Sequence, residues 1–191
     1  DADALHGEDG DDTLDGGDSF STDILVGGNG NDTLDAISGQ ANPEQDLLDG
    51  GAGNDTYLVD TGADLTFESP GGGTDTVRSN IPVANAGVYL YANVENLVLE
   101  GITSFGVGND LANSLTGSAS GNWLLGGAGA DRITGAGGND VLFGEAGADT
   151  FVFGANSGAD VIGDFNLADD VIEFAAYFTS FTQAQANFVQ V

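Results

Sequence analysis

Residues Gly126 to Val152 read GGAGADRIT, GAGGNDVLF and GEAGADTFV, three nine-residue units in direct succession. Glycines crowd the first four positions of each unit. An aspartate fills the sixth (Asp131, Asp140, Asp149) and an apolar side chain the eighth (Ile133, Leu142, Phe151). Self-similarity at a fixed short period marks stacked supersecondary units rather than one globular core. Positions one to six read as a turn, in which glycine tolerates positive φ and lets carbonyl groups crowd together. Positions seven to nine read as a short strand whose middle residue points inward. Two units then make one coil of a flattened solenoid, with a parallel sheet on each side and coils about 4.8 Å apart. Units n and n+2 become neighbours along one edge.

Working outward, Gly108 to Thr116 and Gly117 to Leu125 precede these units in phase and carry Asn113 and Asn122 at position six. An earlier block holds GEDGDDTLD from Gly7, GGNGNDTLD from Gly27 and GGAGNDTYL from Gly50. Between them, Gly16 to Val26 is two residues too long and Ala36 to Asp49 five too long, yet each recovers its ending at Asp23-Ile24-Leu25 and Asp46-Leu47-Leu48. The excess falls at Asp18 to Thr22 and Ser38 to Gln45, in turns on one edge, where fewer or irregular ions are expected. Position eight stays large and apolar throughout: Leu14, Leu25, Leu34, Leu48, Tyr57, Leu115, Leu124, Ile133, Leu142 and Phe151. A glycine-rich low-complexity tract would not keep that register.

The neighbour rule places Asp12, Asp32 and Asp55 on one edge and Asp23 and Asp46 on the other. In the second block Asn113, Asp131 and Asp149 share an edge, and Asn122, Asp140 and Asp160 the opposite one. Each neighbouring pair offers two side-chain oxygens plus main-chain carbonyls, a hard oxygen cage of the kind that Ca2+ accepts and Mg2+ does not. The two asparagines weaken the outermost sites, because an amide oxygen brings no charge.

Thirty-one acidic side chains face two basic ones, Arg78 and Arg132, a net charge of −29. Nucleic acid and anionic membrane surfaces are excluded as partners, and cations are implied. Without them, carboxylates stacked at coil spacing repel by just under about 1 kcal/mol per pair even at the dielectric of water. Over a ladder that rivals a small domain's stability of about 5–15 kcal/mol, so folding is expected to be conditional on an ion. There is no cysteine for a disulfide or thiolate site, and no apolar run long enough to span a membrane. The start, DADALHGEDG, has neither the charged nor the apolar region of a signal peptide, so a longer parent protein is expected. His6 is a lone histidine without HExxH, and the glycine pairs lack GxxxxGK[ST]. No catalytic triad can be assembled, and the chain is expected not to be an enzyme.

The pattern GGxGxDxUx, with U a large apolar residue, resembles the RTX (repeats-in-toxin), hemolysin-type calcium-binding family. The resemblance implies an all-β, right-handed parallel β-helix (β-roll) holding several Ca2+ ions, a short C-terminal cap, and carbonyl ligands from positions one to four. Those are Gly7, Gly10, Gly27, Gly28, Asn29, Gly30, Gly50, Gly51, Ala52 and Gly53 in the first block. In the second they are Gly126, Gly127, Ala128, Gly129, Gly135, Gly137, Gly138, Gly144 and Gly147. ANVENLVLEG resembles the spacer between such blocks, and residues 147 to 174 resemble the closing region of serralysin-type proteases and alginate epimerase modules. In relatives a segment like ANFVQV precedes a further strand and a type I secretion signal, so truncation is expected here too. The expected organisation is repeats over 1–59, a spacer continuing the solenoid over 60–107, repeats over 108–165 and a cap over 166–191. The expected function is a calcium-binding structural module of a secreted or cell-surface bacterial protein, folding outside the cell. Two alternatives stand beside it: a non-catalytic C-terminal domain of a secreted protease, lipase or polysaccharide epimerase, and a subunit of an adhesin, S-layer or filament.

Positions seven and nine point outward. On one sheet they are Ser114, Thr116, Arg132, Thr134, Thr150 and Val152, and on the other Trp123, Leu125, Val141, Phe143 and Val161. The apolar face near Trp123 should be covered. The candidates are the tail, with Phe174, Tyr177, Phe178, Phe181 and Phe188, or self-association or an upstream domain.

Overall fold

The computed structural model describes residues 2–17, 21–37, 45–81 and 87–175, which contain eighteen strands and no helix. Strands alternate between two sides of the coil. One side carries β1 (Ala4–Asp9), β3 (Ile24–Asn29), β5 (Leu47–Ala52) and β7 (Leu65–Phe67), then β9 (Gly87–Tyr89), β11 (Phe105–Val107), β13 (Trp123–Ala128), β15 (Val141–Ala146) and β17 (Val161–Ile162). The other carries β2 (Thr13–Asp15), β4 (Thr33–Asp35), β6 (Thr56–Val59), β8 (Thr76–Ser79), β10 (Asn96–Leu99), β12 (Ser114–Thr116), β14 (Arg132–Thr134), β16 (Thr150–Phe153) and β18 (Val171–Phe174). Every strand pairing is parallel. The even-numbered strands form one unbroken nine-stranded sheet, while the odd ones divide into a four-stranded and a five-stranded sheet. The chain is a parallel β-solenoid.

Register explains the repeat grammar. Leu34 stacks on Tyr57, and Leu115, Ile133 and Phe151 stack in turn, while Leu25 lies over Leu48 and Leu124 over Leu142. All ten position-eight side chains are at most 5% exposed, so the core is two facing columns of single residues. Removing these side chains from water is the main hydrophobic contribution to the fold.

The strands run further into the turns than the sequence implies. In β3, β5, β13 and β15, positions one to three continue the strand, because Gly28 pairs with Gly51 and Gly127 with Glu145 before the chain bends. Position four then makes the corner: Gly30 has φ 137°, and a Cβ there would strike the carbonyl oxygen of Gly10 in the coil below. The C-terminal end also differs from a cap beginning at residue 166. Val171–Phe174 pair in parallel with β16 as one more strand, and Phe174 packs its ring 6.5 Å from Phe153. Phe174 therefore sits in the nine-stranded sheet, opposite the Trp123 side. Tyr177, Phe178, Phe181 and Phe188 lie outside the described residues. Val152 shares the outward register of Thr134 and Glu173 but is only 8% exposed.

Trp123 and Val161 are 54% and 44% exposed, with the Phe143 ring 6.4 Å from Trp123. Two neighbours in β13 should therefore report opposite environments. Leu124→Ala is expected to lower stability by about 2–5 kcal/mol in denaturant melts of the folded chain. The fluorescence of Trp123 should be red-shifted and readily quenched by acrylamide.

Candidate metal centre

At each turn the aspartate N–H has no strand partner, and the side chain of the next coil supplies one. On the first edge Asp12 donates its N–H to Oδ1 of Asp32 at 2.8 Å, Asp32 to Asp55 at 2.7 Å and Asp55 to Asp75 at 2.8 Å. The rungs go on from Asp75 to Oε2 of Glu95, and resume at Asn113 to Asp131, Asp131 to Asp149 and Asp149 to Asp170, at 2.8–3.0 Å. On the opposite edge they link Asp3 to Asp23, Asp23 to Asp46 and Asp46 to Asp64, then Asn122 to Asp140 and Asp140 to Asp160. The neighbours expected from the nine-residue period are thus brought together on two edges. The inserted residues 18–20 and 38–44 lie outside the described residues.

One carboxylate oxygen serves the rung, and the other is left over. Oδ2 of Asp12, Asp32, Asp55, Asp75, Asp131 and Asp140 is buried with no hydrogen-bond partner. Glycine at position one makes room for it: a Cβ on Gly27, Gly50, Gly126, Gly135 or Gly144 would collide with Oδ2 of the aspartate that closes its own turn. A Cβ on Gly7 would lie 2.7 Å from Asp12 Oδ2 and 2.6 Å from the Gly27 carbonyl. Carboxylate oxygen and carbonyls from the adjoining coil therefore converge on one small space. No protein cation enters it, since Arg78 pairs with Glu100 and Arg132 with Glu173, both pairs on the exposed face of the nine-stranded sheet. A buried anionic oxygen without a partner is strongly unfavourable unless a cation meets it. The donors are all hard oxygen, the kind of set that Ca2+ takes from carboxylates and carbonyls together.

Asn113 and Asn122 are held differently from the aspartates. Oδ1 of each accepts a local N–H, from Asn109 and Ser118 at 2.7 Å, and each amide nitrogen donates to carbonyls of the coil below, Val94 and Glu95 for Asn113 and Thr103 for Asn122. Several ladder members were missed because the sequence reading followed glycines. Asp64, Asp75, Glu95 and Asp170 carry rungs from turns without a complete GGxGxD run. The available signal was an acidic residue directly before the strand, as in Asp75-Thr76-Val77, the same order as Asp55-Thr56-Tyr57.

Burial pushes carboxyls up: Asp64, Glu68 and Asp140 to about 7, and Asp75 and Asp131 to about 6. The folded chain without metal therefore holds more protons than the unfolded chain from about pH 4 to pH 7. That contribution to stability is complete below the ordinary carboxyl range and is lost as pH rises through about 6 to 7. Thermal melts in chelator should accordingly show a more stable fold near pH 4.5 than at pH 7.5. With a divalent cation present the order should reverse, because ligands must be ionised.

The family model of the RTX calcium-binding nonapeptide repeat matches residues 1–22, 19–39, 40–65, 106–142, 116–151 and 125–162. The chain is also similar to the endo-1,3-1,4-beta-glycanase EglC of Rhizobium meliloti (strain 1021), 42% identical over 135 residues. Those residues are 70% of this chain and 26% of the relative, so the chain spans about a quarter of that protein's length. Repeats of this kind imply several Ca2+ ions. With its glycine cradles, stacked position-six carboxylates and repeat matches across both blocks, the chain belongs to the RTX calcium-binding repeat family.

Proposed function

We propose that the chain is a calcium-responsive folding module of a secreted bacterial protein and contributes no catalytic step of its own. The observation that carries the reading is the ladder of buried, unpartnered Oδ2 atoms. In this reading Asp12, Asp32 and Asp55, and Asp131 and Asp149, hold Ca2+ along one edge. Asp23 and Asp46, and Asp140 and Asp160, hold it along the other, with carbonyls of positions one to four completing each cage. Asn113 and Asn122 are left out, since their amides already make their hydrogen bonds. In a calcium-poor cytosol the ladder's repulsion keeps the chain open and fit for export. Outside, where calcium is about millimolar, the ion supplies the missing partner and binding free energy becomes folding free energy.

The similarity to a glycanase supports placing the module on a secreted polysaccharide-cleaving enzyme, with the chemistry in another part of that protein. A calcium titration followed by far-ultraviolet circular dichroism tests the reading. In chelator near pH 7.5 the chain should be largely unfolded, and millimolar Ca2+ should bring up β structure in one cooperative step that Mg2+ does not reproduce. A spectrum indifferent to chelator and calcium would sink it.

A further inference from the structure

We infer that Asp55, Glu68 and Asp75 form a three-carboxylate Ca2+ site at the exit of the first block, and that it fills before the two-carboxylate rungs. The inference rests on the calcium-binding reading above and adds a site that the nine-residue pattern does not contain. The family match stops at residue 65 and resumes at 106, so Glu68 and Asp75 lie outside it.

Register carries the argument. Asp49 pairs with Phe67, so Glu68, the next residue, stands where Gly50 stands in the coil before. In the turns that open with Gly27, Gly50, Gly126, Gly135 and Gly144, position one is kept free of side chains for the aspartate's second oxygen. Here the sequence places a glutamate, whose reach brings a third carboxylate into the turn. One oxygen from each of Asp55, Glu68 and Asp75 lies within 4.8 Å of the others. Asp55 and Asp75 are each 1% exposed, and Asp55 Oδ2, Asp75 Oδ2 and Glu68 Oε2 are buried with no hydrogen-bond partner.

A compensating change accompanies the glutamate. Tyr57 fills position eight, where nine other units have an aliphatic residue or phenylalanine. Its hydroxyl accepts the Gly50 N–H at 2.9 Å and donates to Glu68 Oε1. Tyr57 thus fixes one glutamate oxygen, while the other is buried without a hydrogen-bond partner. Main-chain oxygen is at hand as well: a Cβ on Gly72 would lie 2.7 Å from the Gly51 carbonyl and 2.8 Å from Glu68 Oε2. Three carboxylates with carbonyl support and no imidazole or thiolate make a hard site, and affinity at such sites rises with ligand charge.

Calorimetric Ca2+ titration and Tb3+ luminescence test the inference. To silence Trp123, the luminescence is read in a Trp123→Phe background, where substoichiometric Tb3+ should be sensitised through Tyr57. Glu68→Gln should weaken the first binding step at least about tenfold and leave later steps in place. Asp131→Asn should do the opposite, keeping the first step and losing a later one. If Glu68→Gln does not fold, Tyr57→Phe keeps all three carboxylates and loses only the hydroxyl. It should abolish most early Tb3+ emission and weaken the first step by about tenfold. A first step unchanged in Glu68→Gln, or early emission unchanged in Tyr57→Phe, overturns the inference while calcium binding elsewhere stands. Absence of any Ca2+ binding by the unaltered chain would instead overturn the reading on which it rests.

Discussion

Each coil is tied to the next by a hydrogen bond from a turn residue's main-chain N–H to a side-chain oxygen one coil on, and that bond draws a second oxygen into a dry turn. The rung satisfies a backbone donor that the strands cannot reach. In doing so it desolvates a carboxylate and stacks it above the next. The glycine at position one, the carbonyls facing it and the lack of any arginine nearby all follow from that geometry. A polypeptide alone can relieve the strain by binding protons, and the carboxyls shifted to about 6 and 7 report that pull. A divalent cation relieves it without neutralising the ligands that hold the rungs.

Asn113 and Asn122 show the other solution to the same problem. Replacing one carboxylate oxygen with an NH2 group turns an acceptor without a donor into a donor, and the coil below offers carbonyls to receive it. The rung survives, since Asn113 and Asn122 still donate their N–H groups to Asp131 and Asp140. The entry to the second block is therefore joined to the spacer by neutral hydrogen bonds. Each such bond is modest, but none leaves a charge buried without a partner. Aspartate at position six leaves a buried oxygen for a cation to meet, and asparagine supplies a donor of its own instead.

How much of this was legible depends on the range of the cause. Position eight was readable because burial there depends only on the local alternation of the strand, and all ten assigned residues are in the core. The two edges were readable because an 18-residue spacing brings one turn over another, as Asp131 and Asp149 do. Asp75 and Glu95 were not, because their turns keep the rung without the complete GGxGxD run. Glu68 was further out of reach. Its place opposite Gly50 follows from the β5–β7 register, and no local pattern in the sequence states that register. The left-handed φ of Glu8, Ala136 and Glu145 is a smaller case: position two demands that conformation even where the residue is not glycine.

The spacer has to hold the two blocks together with few ladder aspartates, and it does so through packing. Its coil at β10 and β11 has no large side chain on one wall, because the inward residue of β11 is Gly106. The opposite strand fills the gap with two leucines rather than one. A Cβ on Gly106 would lie 2.8 Å from Leu97 and 3.3 Å from Leu99, both at most 2% exposed. Gly106 is thus the place where the facing wall advances, and substituting it would push on both leucines and on Leu124. In a solenoid each coil touches only its neighbours, so stability is a chain of nearest-neighbour terms. The term between the blocks contains this hydrophobic contact, whereas the terms within them add the carboxylate ladder to the buried columns. Those leucines, the amide hydrogen bonds of Asn113 and Asn122 and the unbroken nine-stranded sheet together join the two blocks through this coil.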